Sequence, residues 1–207
     1  MRTVALILGV LAALGAANQT LAQGYATVEI APFIGYRFGG SVGDTSSAAS
    51  YGIDAARSEG VTISVPVRRD REVEFLFSRQ DTGVDVAVYP GTQRYALTID
   101  HWMVGAVGEF QGHTGRVRPF VAAYLGLTNF RSSNGGGTSD TWFTAALGGG
   151  AKVDMAKHVA IRFDARGYAV FVSSGAGAIC GPAGCSFAFA GNAMFQGEVA
   201  ASVILKF

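Results

Sequence analysis

Between Phe195 and Phe207 the chain changes chemistry at every step. Phe195, Gly197, Val199, Ala201, Val203, Leu205 and Phe207 take the odd positions, while Gln196, Glu198, Ser202 and Lys206 are among the even ones. A period of two is the mark of a strand, whose successive side chains leave on opposite faces. A helix at 3.6 residues per turn would spread the same charges around its circumference. Residues 158–172 repeat the pattern. Val159, Ile161, Phe163, Ala165, Gly167, Ala169 and Phe171 share one face, and His158, Arg162, Asp164, Arg166 and Tyr168 share the other.

The same reading gives strands at 25–38, 60–67, 72–82 and 142–154, with weaker ones at 95–109 and 117–131, eight in all. Their connections alternate in length. Arg68–Arg71, Gln111–Gly115 and Met155–Lys157 are short; Gly39–Glu59, Asp81–Arg94, Ser132–Asp140 and Ser173–Met194 are longer and read as solvated Gly/Ser-rich loops. Short turns at one end and long loops at the other describe a transmembrane barrel. The expected fold is therefore all-β: a closed eight-stranded antiparallel up-and-down barrel over residues 23–207, with no internal domain boundary.

Composition narrows the functional classes. The formal net charge of +1 lacks the basic footprint of a nucleic-acid binder. With 49% hydrophobic residues the chain has too much apolar surface for a disordered protein. Its mean hydropathy of +0.30 is high for a soluble one, yet charges are scattered along most of its length. No apolar, charge-free stretch after the N-terminus approaches the length of a membrane helix. At the N-terminus, Met1-Arg2-Thr3 precedes an apolar run from Val4 to Ala17, and Thr20-Leu21-Ala22 supplies small residues before Gln23. This is the layout of a cleavable signal peptide over residues 1–22, too short in its apolar part to span a bilayer.

Alternation alone also fits a soluble barrel with its apolar face inward. Three features point that face at lipid instead. Charge concentrates in mid-strand on the polar face; Tyr25, Tyr36, Phe38, Tyr95, Phe130, Trp142, Phe171, Phe195 and Phe207 cluster near strand ends as interfacial girdles do; and the chain stops on Phe207 inside a strand. The polar face then lines a lumen with Glu29, Glu74, Asp100, Asp154, Asp164 and Glu198 set against Arg37, Lys152, Arg162, Arg166 and Lys206. An eight-stranded barrel is just wide enough for its own side chains, and buried charges must be paired. These residues read as a salt-bridged plug, with Arg162 or Arg166 to Glu198 the first pair expected. Gly148, Gly149 and Gly150 either admit large neighbours into the lumen or relieve sheet curvature.

Chemistry-bearing motifs are sparse. Cys180 and Cys185 bracket Gly-Pro-Ala-Gly, and in an exported chain they are expected to form a disulfide that stiffens a surface loop. His113 and His158 read as solvated turn residues. If Asp100 faces the lumen, His101 points to lipid, and a β-bulge resetting the register is expected there. No phosphate loop, zinc signature or nucleophile elbow is present, so neither catalytic residues nor a metal or cofactor is expected.

Gly35-Tyr36-Arg37-Phe38, Glu74-Phe75-Leu76-Phe77-Ser78-Arg79 and the closing Ile204-Leu205-Lys206-Phe207, on eight strands behind a signal peptide, resemble the small eight-stranded outer-membrane barrels of the OmpA/OmpX-like group. The resemblance covers nearly all of residues 24–207 and is architectural. It implies the outer membrane of a Gram-negative cell and is poor for activity; with no catalytic motif in the chain, the expected role is non-enzymatic, structural or surface-interacting, with a narrow porin-like channel as the rival reading and a lipid-modifying enzyme behind that. It also implies outer-membrane lipid and lipopolysaccharide as surroundings, Phe207 as a C-terminal signal to the barrel-assembly machinery, and an extracellular ligand met through the loops.

Overall fold

A computed structural model describes residues 28–44, 50–88, 91–110, 116–132, 139–172, 177–181, 184–188 and 193–207. The strands are β1 (Glu29–Gly39), β2 (Ser41–Asp44), β3 (Ser50–Gly52), β4 (Ala56–Arg68), β5 (Arg71–Val88), β6 (Gly91–Glu109), β7 (Val117–Ser132), β8 (Ser139–Ala156), β9 (Val159–Phe171), β10 (Gly177–Gly181), β11 (Gly184–Ala188) and β12 (Ala193–Lys206). Eight of them close a barrel in the order β1-β12-β9-β8-β7-β6-β5-β4, every neighbouring pair antiparallel. Residues 1–22, expected from sequence to be a signal peptide, and His113 lie outside the described residues.

Closure follows from the register. A line of paired residues leaving Phe195 passes Ala169, Ala145, Leu125, Val104, Phe75, Ile63 and Ile30, and returns to β12 at Leu205, ten residues further along. That stagger over eight strands corresponds to a tilt of about 40°. Every residue on the line belongs to the outward face. The apolar stripe of each strand therefore joins its neighbours into a continuous band. From Phe195 to Phe207 the band is about 25–30 Å tall at ~3.3 Å per residue.

Which face looks outward is decided by a few exposures. Phe163, Val199 and Val203 are 56%, 49% and 47% exposed, whereas Arg162 and Glu198 on the opposite faces of the same strands are 2% and 1%. A soluble barrel has the reverse arrangement, because exposing aromatic and branched side chains to water forgoes the gain of burying them.

Three connections differ from the sequence reading. Asp81–Arg94 is not a long loop: β5 and β6 run on as a paired hairpin until Val88 faces Gly91. Its outward Asp85 and Arg94 are exposed and ion-paired, so this part of the ladder stands clear of the apolar band and carries no apolar outer stripe. The connections Gly39–Glu59 and Ser173–Met194 likewise contain strands, which form a four-stranded sheet in the order β10-β11-β2-β3 at the same end.

Candidate functional site: the filled lumen

The interior of the barrel is stacked in tiers. Nearest the short turns, Lys152 on β8 reaches Glu72 on β5 at 2.7 Å, Glu109 on β6 at 2.9 Å and Glu29 on β1 at 3.0 Å. Arg118 on β7 joins the same group through Glu109 at 2.6 Å and Asp154 at 3.0 Å, and Lys206 on β12 meets Asp154 at 2.5 Å. Five strands and the last charged residue of the chain are thus tied across the mouth.

The central tier is a second ionic cluster. Arg162 on β9 donates two hydrogen bonds to Glu74 on β5 at 2.5 and 3.1 Å and also pairs with Asp164. Tyr124 and Ser64 donate to the same Glu74 carboxylate at 2.5 and 2.6 Å. Arg37 on β1 binds Glu198 on β12 at 2.9 Å and Ser78 on β5; Tyr168 donates to Glu198 at 3.1 Å. Arg166 pairs with Asp164 at 3.0 Å and faces Glu198 across 3.6 Å. The guanidinium planes of Arg162 and Arg166 lie over the Phe120 and Phe33 rings at 4.4 and 4.6 Å, where the ring faces favour a cation. Of the pairs first expected from sequence, Arg166 meets Glu198 while Arg162 takes Glu74 instead.

Above this lies an uncharged polar tier. His101 Nδ1 and Thr128 Oγ1 are 2.6 Å apart, Thr128 and Thr144 share a 2.5 Å hydrogen bond, and the His101 ring stacks on Tyr168 at 4.3 Å. The tier is closed on the long-loop side by buried Ile53, Val84, Leu97, Ile99, Phe130, Val170, Val172 and Met194.

The placement of His101 corrects two expectations. His101 points into the lumen, and Asp100 stands on the outer wall, held between Arg79 at 2.7 Å and Arg131. Nor is there a bulge: the ladders of β6 with β5 and with β7 are in continuous register through this point. Leu97, Ile99, Met103 and Val107 share the inward face with His101, so most inward positions of β6 are apolar. The Asp100 carboxylate is covered on the outer wall by the Arg79 and Arg131 side chains, which are themselves about half exposed. With apolar residues on both faces of β6, alternation could not assign them. Glu109, eight residues from His101 and hence on its face, was the available signal.

Glu29, Arg37, Glu74, Lys152, Arg162, Asp164, Arg166 and Glu198 are buried in the lumen, with Asp154 and Lys206 half-buried at its short-turn mouth. Sequence reasoning missed Glu72, Glu109, Arg118, Tyr124 and Tyr168 as members of the network. Phe207 is exposed next to the β1 edge, its N–H donating to Val28 O at 3.0 Å. The glycines on β8 divide: a side chain at Gly148 would meet Arg166 Cγ at 2.9 Å, whereas at Gly150 it would meet Phe163 O at 2.0 Å. A side chain at Gly148 would also meet Ala165 O at 2.9 Å, so Gly148 makes room for a lumen side chain and for the β9 backbone together, and Gly150 for the backbone. Cys180 and Cys185 are direct backbone partners across the β10–β11 hairpin, and their side chains lie outside those described. Among the described residues no group of three or more His, Cys, Asp or Glu is arranged to hold a metal ion.

Charges outside the lumen complete the picture. Arg68, Arg69, Asp70, Arg71, Arg116 and Lys157 sit at the short turns, while Arg57, Arg79, Arg94 and Arg131 share the long-loop end with Asp44, Asp54, Glu59, Asp81, Asp85, Asp100 and Asp140.

No protein-family model and no curated protein matches the chain. Solved structures do. Neisserial surface protein A superposes with a TM-score of 0.59 at 13% identity, covering 87% of this chain and 97% of that one. The outer membrane protein OprG from Pseudomonas aeruginosa gives 0.59 at 11% identity, covering 88% and 96%. The N-terminal β-barrel domain of Pseudomonas aeruginosa OprF gives 0.50 at 16% identity, covering 89% and 100%. The chain has the fold of the small eight-stranded outer-membrane barrels.

Proposed function

We propose that the protein is a non-enzymatic integral outer-membrane barrel with a plugged lumen, whose long-loop end serves a structural or surface-contact role outside the cell. The observation that carries this reading is the burial of whole charged side chains across the barrel axis. Arg37, Lys152 and Arg162 are 0–2% exposed, and each is matched to carboxylates from other strands. Removing one partner from such a pair leaves a charge in low dielectric, so the network resists opening. The exposed apolar band supports the membrane setting, because closed barrels satisfy every backbone group in lipid. In this reading the short turns face the periplasm, residues 1–22 are removed on export, and Cys180 and Cys185 are oxidised to a disulfide.

Planar-bilayer recording on purified protein tests the plug. A closed lumen gives no stepwise current at moderate voltage; steady unitary steps would overturn the plug and favour the narrow-channel reading.

A further inference from the structure

The charged side chains sort by height in the barrel. At the short-turn end eight bases stand against five carboxylates, in the central tier three against three, and at the long-loop end four against seven. The described chain is neutral in total yet polarised, with a surplus of three positive charges at one end and three negative at the other.

The positive surplus sits in side chains that the lumen network does not use. Arg68, Arg116 and Lys157 are exposed and have no carboxylate partner among the described residues. Arg71 has Asp70 at 3.8 Å, both more than half exposed. These cations occupy all three short turns, and each turn is flanked by outward apolar side chains: Val67, Phe110, Val117 and Met155 are exposed beside them. Within the ring, a cavity of about 860 Å³ opens at the mouth; Arg68, Arg69 and Lys157 stand at its wall, and the ion-paired Glu29, Glu72, Glu109, Arg118 and Lys206 of the lumen network line it as well.

We propose that this collar binds the headgroup phosphates of anionic phospholipids in the leaflet it abuts. A soluble anion would satisfy the cations and leave the apolar side chains in water. A lipid satisfies both, its phosphate against the guanidinium forks and its chains against Val67, Val117 and Met155. The inference rests on the membrane reading above.

The test uses protein reconstituted in nanodiscs of phosphatidylcholine with a minor fraction of phosphatidylglycerol, and native mass spectrometry of the lipids it retains. Phosphatidylglycerol should be enriched roughly fivefold over its bulk share, the gain expected from even one basic residue at an anionic surface. Excess inorganic phosphate should not displace it. The variant R68Q/R71Q/R116Q/K157Q should return to the bulk ratio, and R57Q/R94Q at the opposite end should keep the enrichment. Should the fourfold variant fail to fold, R68Q/R71Q and R116Q/K157Q must each lower the ratio. A bulk ratio in the unmodified protein, a folded variant that keeps the enrichment, or displacement by phosphate overturns the collar alone. Failure of the protein to insert, seen as the absence of a heat-modifiable band, overturns the collar and the membrane reading together.

Discussion

Glu198 accepts hydrogen bonds from Arg37, Ser78 and Tyr168 and faces Arg166 across 3.6 Å. Truncating it leaves the Arg37 guanidinium without a carboxylate in the barrel interior and removes the second of the two that Arg166 faces. E198A is expected to lower unfolding stability by about 3–5 kcal/mol, read from urea titration of the refolded barrel. Asp100 also binds two arginines, but their side chains are 40% and 47% exposed to the surroundings. Solvent screening discounts such a pair, so D100N should cost about 1 kcal/mol or less. Equal losses in the two variants would contradict the assignment of Glu198 to the lumen and Asp100 to the outer wall.

At the scale of strands, the barrel depends on close backbone approach at particular points. A methyl group at Gly150 would lie 2.0 Å from Phe163 O across the β8–β9 ladder, and neither backbone can yield without breaking register. At Gly167 the same methyl would point outward with only Leu147 O, 4.0 Å away, near it. G150A should therefore destabilise the barrel by about 1–3 kcal/mol, with a lower temperature for loss of the compact band on unboiled gels. G167A should leave that temperature nearly unchanged. The β5–β6 hairpin teaches a related point. Its pairing runs from Arg71↔Gly108 to Val88↔Gly91 without interruption, although its outer residues beyond Asp81 carry no apolar stripe. Hydrogen bonding, together with burial of Val84 and Leu97 on the inner face, extends the ladder past the outer apolar band.

For the whole molecule, the tiers act in series: two ionic layers, a polar layer with His101, and an apolar lid of which Phe130 and Met194 are part. Each places the protein's own side chains in the lumen at a different height. The proposed export carries two further expectations for the whole chain. The intact mass of protein purified from membranes should correspond to a chain beginning at Gln23 and lighter by two hydrogens, one from each of Cys180 and Cys185. A mass retaining residues 1–22 would refute cleavage, and two free thiols would refute the disulfide.

Much of this was legible in the sequence because a strand's side-chain period is local. Alternation in 158–172 and 195–207 assigns Arg162, Asp164, Arg166 and Glu198 to one face without knowledge of any neighbour. The closed eight-stranded order follows from strand count and turn lengths. What only the tertiary structure decided is which charges meet and which face of β6 turns inward. Arg37 and Glu198 are 161 residues apart, and Lys152 draws Glu29, Glu72 and Glu109 from three other strands. Such partners are set by the ten-residue stagger of the barrel, a global quantity that no single strand encodes. Where both faces of a strand are apolar, as around His101, the local signal vanishes, and the orientation is fixed by neighbours on either side.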